Sequence, residues 1–193
     1  FKMTIPRNKA KNSTLVSVRN KSFLQTVFKI FNESKNTYII IPNLCNNSGT
    51  FSGPINNILK DHLSSAHLNY QLLSKKFLAE NKGYCQIVEC LINKKSNNKI
   101  FVANMIAQDT YRPIDSKRTI NYLYLMKSMY NIGLFIDRTL KEEDNDVMLE
   151  IHSPKFGMGY PGGKWEFIQN LVEDIWRDKN VFVYNHLQDT KEK

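Results

Sequence analysis

Hydrophobic positions along the chain alternate between short continuous runs and longer stretches with the spacing of an α-helix. Short runs rich in β-branched and aromatic residues are typical of buried strands. The predicted strands are residues 15–18, 38–41, 84–92, 100–106, 147–151 and 181–184. Apolar residues that recur every three or four positions predict helices between them. The predicted helices are residues 23–31, 54–63, 68–78, 119–136 and 165–175.

Two prolines and a polar turn define some of these boundaries. Pro42 follows a β-branched run, so we expect the second strand to end there and to lead into a loop. Pro54 fits the first position of the next helix, where its missing N–H would have no partner anyway. The polar turn 94–99 predicts that the strands on either side pair as a hairpin. The helix 119–136 has apolar residues on too many sides for one exposed stripe, and we expect it to be largely buried.

Strands that alternate with helices predict an α/β fold, a three-layer α/β/α sandwich with a central mixed β-sheet. The length of 193 residues suits one domain, and no linker is visible inside it. We expect the domain to span residues 14–187. A flexible basic arm (1–13) precedes it in this prediction, and a short tail (188–193) follows it.

Composition narrows the class of protein. A hydrophobic fraction of 41% is enough to form a core, which argues against a disordered or fibrous chain. The longest apolar runs are far shorter than the roughly 20 residues of a transmembrane helix, so we expect no membrane contact. Three cysteines without a CxxC pair fit a reducing compartment. The expected location is therefore the cytoplasm, or the host cytoplasm if the protein is viral.

The positive charge is concentrated in the first half of the chain. The net charge is +9, and residues 1–100 hold 15 Lys and Arg against 4 Asp and Glu, whereas residues 101–193 hold 12 against 14. Four of these cations, Lys2, Arg7, Lys9 and Lys11, lie in the predicted arm. One interpretation is contact with nucleic acid or another polyanion, and the other is a solvated tail.

Two strand-to-helix junctions are rich in glycine, at residues 46–53 and 156–163. Glycine allows backbone N–H groups to approach a ligand closely, and a helix begins after each junction. The N-terminus of a helix favours an anion, most naturally a phosphate or a diphosphate. The pair therefore predicts a site that grips a diphosphate from two sides. The alternative interpretation is two tight connections without a ligand.

Several common functional motifs do not occur in the sequence. Neither GxxxxGK[ST] nor an opening GxGxxG is found, which argues against a kinase, an ATPase or a Rossmann dehydrogenase. The four histidines show no HExxH spacing and no cysteine partners in zinc spacing, so we expect no metal and no cofactor. GxSxG is also missing. Cys45 lies in the first junction without an identifiable base, and we interpret it as a packing residue.

The second junction resembles the signature of a known family. Residues 154–165, which read PKFGMGYPGGKW, resemble the proline, aliphatic, glycine-rich, tryptophan signature of macrodomains. The likeness is to the branch that contains ADP-ribose-1″-phosphate phosphatases and their bacteriophage relatives. Residues 45–53 look like the asparagine-and-glycine loop of that branch, and residues 102–108 look like its central strand. The resemblance covers about residues 15–184.

The resemblance implies an α/β/α sandwich that binds ADP-ribose, with the second junction around the diphosphate and the distal ribose. Asn46 would contact the distal ribose, and Phe51 or Tyr160 would pack on sugar or adenine. The implied ligand-binding residues are Asn20, Asn46, Asn47, Gly49, Phe51, Gly53, Gly157, Met158, Gly159, Tyr160, Gly162 and Gly163. The alternatives are that Asn46 caps a turn through its side chain and that Phe51 and Tyr160 lie at the edge of the core.

Three positions depart from the family pattern. Asn20 stands near the position from which the family reads the adenine amine. Pro161 stands where the de-ADP-ribosylating members of this neighbourhood carry an aspartate, so that activity is not expected. The first junction has Ser52-Gly53-Pro54 in place of a longer glycine run, which leaves fewer backbone donors for a phosphate.

The leading hypothesis is therefore a macrodomain that binds ADP-ribose or a derivative and removes the phosphate of ADP-ribose 1″-phosphate. The polar residues nearest to the predicted site, Asn46, Asp109 and His152, are the catalytic candidates. A second hypothesis is a non-catalytic reader or sponge of an ADP-ribose-type signal. A third is a degenerate macrodomain that serves as an interaction module and binds nucleic acid through its basic arm.

Overall fold

A computed structural model describes residues 17–109, 118–143 and 146–187. Both the predicted arm (1–13) and the predicted tail (188–193) lie outside these residues, as do the first two residues of the predicted strand 15–18. The strands are β1 Ser17–Ser22, β2 Thr37–Asn46, β3 Cys85–Asn93, β4 Asn98–Gln108, β5 Met148–Pro154 and β6 Asn180–His186. The helices are α1 Phe23–Glu33, α2 Pro54–His62, α3 Ser64–Gln71, α4 Lys75–Glu80, α5 Tyr122–Glu142 and α6 Trp165–Ile175.

The strands form one mixed sheet in the order β1-β6-β5-β2-β4-β3. The neighbouring strands β1, β6, β5, β2 and β4 are all parallel to one another. Strand β3, at the edge, pairs antiparallel with β4. The predicted hairpin is therefore confirmed. Parallel strands must be joined by crossovers, and helices supply these crossovers on both faces of the sheet.

Alternation along β2 divides the core between the two faces of the sheet. Tyr38 and Ile40 belong to a buried cluster with α5 and α6, whereas Ile39 and Ile41 belong to a second cluster with α1, α2 and α3. All four side chains are buried because β2 is central and covered on both sides. The three-layer α/β/α sandwich predicted from the sequence is thus confirmed.

The second strand does not end at Pro42. It continues to Asn46, and Pro42 is level with Ala103 of β4. Pairing of β2 with β5 covers only Thr37–Ile40, so the strand runs on beside β4 alone. Proline is tolerated there because, on the side where β5 has ended, its missing N–H does not remove a hydrogen bond of the sheet.

The single helix predicted for residues 68–78 is wrong. Two helices occupy this region, α3 and α4, and α3 begins four residues before the predicted start. The break precedes Ser74, whose hydroxyl accepts the backbone N–H of Phe77 at 3.0 Å and caps α4. A serine cap competes with continuation of the helix through the same residues.

The long helix α5 begins later and ends later than predicted. Asn121 caps it by accepting the N–H groups of Leu123 and Tyr124. The expectation of a largely buried helix is also wrong, because Leu123 is 61% exposed and Tyr130 is 60% exposed. Only one side of α5 packs on the sheet and on α6, and the apolar residues on the other side remain at the surface.

Asn98 ties α1 to the amino ends of β2 and β4. Its side chain is fully buried, accepts the N–H of Thr37 and donates to the carbonyl oxygens of Phe31 and Ser34. We expect Asn98→Ala to lower the free energy of unfolding by about 3 kcal/mol, because three backbone groups lose their partner inside the protein. Urea denaturation measures this loss. The matched variant Asn57→Ala, at an exposed position of α2, should change stability by less than about 0.5 kcal/mol.

Candidate functional site

The carboxyl ends of five parallel strands, β1, β6, β5, β2 and β4, meet at one edge of the sheet. Between β5 and β2 the pairing stops at Ile40 and Ile151, although both strands continue. The chain then leaves β2 toward the α1 face and leaves β5 toward the α5 face. A crevice opens where connections diverge in this way, and it is the usual ligand position in open α/β sheets.

The two glycine-rich junctions flank this crevice. We call residues 47–53, between β2 and α2, loop 1, and residues 155–164, between β5 and α6, loop 2. Gly53 and Lys164 precede the first turns of α2 and α6, and among the described residues neither helix start has a side-chain cap. Pro54 is the first residue of α2, as predicted. Both helix N-termini therefore keep polar backbone groups available at the edge of the crevice.

Loop 1 is folded around the side chain of Asn46, the last residue of β2. Its Oδ1 accepts the N–H groups of Ser48 at 3.1 Å and Thr50 at 3.2 Å, and also the hydroxyl of Ser48 at 2.9 Å. Its Nδ2 donates to the carbonyl oxygen of Thr50 at 2.6 Å. Asn46 thus caps a turn, in agreement with the alternative drawn from the sequence.

Residues of helix α3 contact loop 1 from the protein interior. The hydroxyl of Tyr70, a fully buried residue, donates to the carbonyl oxygen of Asn46 at 2.6 Å. Gln71 donates to the carbonyl oxygen of Gly49 at 3.0 Å. The ring of Phe51 packs on Tyr70 at 5.6 Å between centroids and is only partly exposed. Phe51 therefore belongs to the packed base of loop 1.

Asp109, immediately beyond β4, joins loop 1 to the α4–β3 connection. Its Oδ1 accepts Nδ2 of Asn47 at 3.0 Å and lies 2.8 Å from Nζ of Lys82. The hydrogen bond to Asp109 raises the pKa of Lys82, so this lysine is charged at neutral pH. The carboxylate is thus held by one cation and one amide beside the crevice.

Loop 2 turns sharply at three glycines. Gly157, Gly159 and Gly162 have φ values of +78°, +65° and +73°, which other residues rarely adopt. The N–H of Gly162 donates to the carbonyl oxygen of Gly159, and the N–H of Gly163 donates to that of Gly157. The N–H groups of Met158 and Gly159 have no hydrogen-bond partner within the described ranges. These two amides are available to an anion.

A short segment before α5 connects the two loops. Thr119 and Ile120 donate their N–H groups to the carbonyl oxygen of Pro161 in loop 2. Thr119 accepts the N–H of Asp109, and Gln108 accepts the N–H of Asn47 in loop 1. The relative position of the two loops is therefore fixed through the end of β4.

Three cations and two aromatic rings lie in loop 2 or next to it. The guanidinium carbon of Arg118 lies 4.4 Å from the ring centre of Tyr122, and Nζ of Lys155 lies 5.5 Å from that of Trp165. The hydroxyl of Tyr122 accepts the N–H of Lys164 at 2.9 Å. The positive charges of Arg118, Lys155 and Lys164, in loop 2 or next to it in the structure, favour an anionic ligand there.

His152 does not lie in a loop at the site. It is part of β5, its side chain is fully buried, and it faces the α1 side of the sheet against Phe182. Its Nε2 lies 2.8 Å from Glu150 and its Nδ1 lies 2.7 Å from the hydroxyl of Tyr184. Strand β5 extends past its predicted end at Ile151 and includes His152. Both ring nitrogens have partners inside the protein, so we do not retain His152 as a catalytic candidate.

The remaining predicted residues are distributed along the same edge. Asn20 is exposed near the end of β1 and accepts Nδ2 of Asn185 at 2.7 Å. Met158 and Tyr160 are exposed in loop 2, at 39% and 64%. Cys45 is buried, and burial raises the pKa of its thiol well above the ordinary value, which fits the interpretation as a packing residue.

Sequence reasoning missed the residues that hold the loops. Tyr70, Lys82 and Tyr122 contact Asn46, Asp109 and Lys164 respectively, across at least 24 positions of sequence. Isolated tyrosines and lysines give no local signal of such a role. Within the described parts of the chain, no group of three or more His, Cys, Asp or Glu side chains is placed to hold a metal ion, and no helix is long and apolar enough to span a membrane.

No protein-family model and no curated protein matches the sequence. Solved structures do resemble it. A protein of unknown function from Bacteroides thetaiotaomicron superimposes with a TM-score of 0.64 and 22% identity, over 77% of this chain and 87% of that one. A macrodomain protein from Streptomyces coelicolor gives 0.56 and 22%, over 80% and 91%. Thermosipho africanus DarTG, solved in complex with ADP-ribose, gives 0.52 and 14%, over 80% and 39%.

These similarities assign the architecture. The mixed six-stranded sheet between two helical layers is the macrodomain fold, as the resemblance in the loops implied. Identities of 22% or less establish a fold and not an activity, so neither the phosphatase branch nor the bacteriophage branch is established for this chain.

Proposed function

We propose that the protein binds ADP-ribose or an ADP-ribose derivative in the crevice between loop 1 and loop 2. The observation that carries this proposal is the position of the two glycine-rich loops, which flank the point where β2 and β5 separate and lead into two helix N-termini that no side chain of the described residues caps. A diphosphate suits this position because two sets of backbone donors approach it from opposite sides.

Loop 2 supplies the main diphosphate contacts in this proposal. The N–H groups of Met158 and Gly159 are available there, and Lys155, Lys164 and Arg118 add positive charge nearby. Support also comes from DarTG, which was solved in complex with ADP-ribose and of which 39% superimposes on this chain with a TM-score of 0.52. Asn20, at the end of β1, is the proposed contact for the adenine.

Calorimetric titration with ADP-ribose tests the proposal directly. We expect saturable heat with one site per chain, and weaker binding of AMP, which has a single phosphate and lacks the distal ribose. Absence of both heat and thermal shift at millimolar ADP-ribose would refute the proposed function.

A second candidate activity is hydrolysis of ADP-ribose 1″-phosphate, which the carboxylate of Asp109 favours. Water would attack the phosphorus and Asp109 would take a proton from this water, while the bond between phosphorus and the C1″ oxygen breaks and this oxygen takes up a proton from solvent water. The products would be inorganic phosphate and ADP-ribose. Asn47 and Lys82 hold the carboxylate beside loop 1 in a fixed orientation.

We expect Asp109→Asn to reduce phosphate release about 100-fold, because an amide cannot accept the proton. Affinity for ADP-ribose should change by less than about threefold. Phosphate release is measured with a colorimetric assay on ADP-ribose 1″-phosphate. Equal rates in the variant and the wild type would exclude Asp109 as the base, and binding without any release would favour the non-catalytic reader or sponge.

The interaction-module alternative depends on the arm that contains Lys2, Arg7, Lys9 and Lys11. It predicts that a fluorescent oligonucleotide binds with a steep salt dependence, and that deletion of residues 1–11 removes this binding. Unchanged binding after the deletion would contradict it.

A further inference from the structure

We infer that Asn46 and Tyr70 form a positioning pair, which holds loop 1 in the conformation that receives the ligand. Asn46 would then act through the loop and not as a direct ligand contact. The inference rests on the proposed function for the identity of the ligand. It departs from the role that the family resemblance implies for Asn46, which is contact with the distal ribose.

The carboxamide of Asn46 is already engaged within the loop. Its Oδ1 has three donors, from Ser48 and Thr50, and its Nδ2 donates to the carbonyl oxygen of Thr50. Three of the four partners are backbone groups whose roles as donor or acceptor are fixed, so the orientation of the amide is also fixed. Rotating this amide toward a ligand would break several hydrogen bonds at once.

Tyr70 fixes Asn46 from the protein interior. Its hydroxyl donates to the carbonyl oxygen of Asn46 at 2.6 Å and lies 3.2 Å from Oδ1 of the same residue. Burial raises the pKa of this hydroxyl, so it stays protonated and remains a donor. The hydroxyl of a fully buried residue needs a partner, and Asn46 supplies it.

Loop 1 needs such a support because its backbone is unusual. Gly49 and Gly53 have φ values of +83° and +109°. Because glycine can adopt many other backbone conformations as well, it does not by itself hold the loop in this one. Without the pair, the loop would spend part of its time in other conformations. The apparent affinity for a ligand falls in proportion to the fraction of competent loop, and a fast loop equilibrium lowers the association rate by the same factor.

The test compares wild-type protein with Tyr70→Phe, which removes only the hydroxyl. Stopped-flow binding of ADP-ribose should show an association rate constant about fivefold lower, with the dissociation rate constant within twofold of wild type. In the protein without ligand, the amide protons of Ser48 and Thr50 should exchange with solvent about fivefold faster by NMR.

Tyr38→Phe is the matched control. Tyr38 is also a buried tyrosine, and it lies in β2, the strand that ends at Asn46, but its hydroxyl donates to Glu143 at 3.0 Å near the amino end of β2. This variant should leave the association rate and the exchange of Ser48 and Thr50 unchanged. The double variant Asn46→Ala, Tyr70→Phe should bind no more slowly than Asn46→Ala, because both changes release the same loop.

Unchanged amide exchange in Tyr70→Phe would overturn the inference, and so would a faster dissociation at an unchanged association rate. If wild-type protein does not bind ADP-ribose, the proposed function fails and the binding half of the inference fails with it. The exchange measurement needs no ligand, so it still decides whether the pair fixes the loop.

Discussion

Gly159→Glu is expected to weaken ADP-ribose binding by at least about 100-fold, or about 3 kcal/mol. Gly159 is in the middle of loop 2, and a Cβ atom built on it meets nothing within 4 Å. A Cβ atom therefore fits at this position, and the carboxylate of a glutamate there would repel the diphosphate. Calorimetry on the two proteins, at the same pH and salt concentration, measures the difference.

Gly159→Gln separates charge from backbone strain in this experiment. The φ of +65° at Gly159 costs any other residue about 1 kcal/mol, and glutamine pays this cost as glutamate does. We expect only about a fivefold loss for glutamine. The gap between the two variants should narrow as salt is raised, because salt screens like charges. Equal losses in both variants at low salt would mean that no anionic group of the ligand lies near loop 2.

The second large effect is a loss of stability expected for Gly163→Ala, near the end of loop 2, where Gly163 contacts Gly157. A Cβ atom on Gly163 would lie 2.5 Å from the carbonyl oxygen of Gly157 and 3.1 Å from Cδ1 of Ile168. The carbonyl oxygen belongs to the backbone and cannot rotate away as a side chain would. We expect Gly163→Ala to lower the free energy of unfolding by about 3 kcal/mol and Tm by about 9 °C.

Gly133→Ala is the control for this prediction. Gly133 lies in α5, and apart from its own helix a Cβ atom there meets nothing within 4 Å. Alanine should leave stability unchanged or raise it by up to about 1 kcal/mol, because glycine is a poor helix former. Scanning calorimetry distinguishes the two variants. A Gly163→Ala protein as stable as Gly133→Ala would mean that loop 2 relaxes without cost.

Local patterns were sufficient to predict most of the architecture. Side chains alternate along a strand and recur with helical spacing, so the runs 38–41 and 100–106 and the stripe in 165–175 each indicated their element without reference to the rest of the chain. The glycines of loop 2 indicated a tight connection for a similar reason, because glycine is favoured wherever the backbone takes a positive φ.

Predictions made from the sequence were wrong where the surroundings of a residue are formed by distant parts of the chain. Pro42 was expected to end β2, but the pairing with β5 had already stopped at Ile40. The apolar residues of α5 were expected to be buried, yet only one side of that helix faces the sheet. The residues of a strand do not determine which strands pair with it along its length. The residues of a helix likewise do not determine which of its sides other elements cover.

The sequence by itself determined the six strands, most of the helices, the sandwich they build and the two glycine-rich loops, because these depend on local periodicity and on backbone freedom. Only the tertiary structure decided what the polar side chains do. Asn46 is held by Tyr70, Asp109 by Lys82, and His152 between Glu150 and Tyr184, and most of these partners come from other elements. A hydrogen bond depends on distance and direction in space, and sequence spacing constrains neither across separate elements.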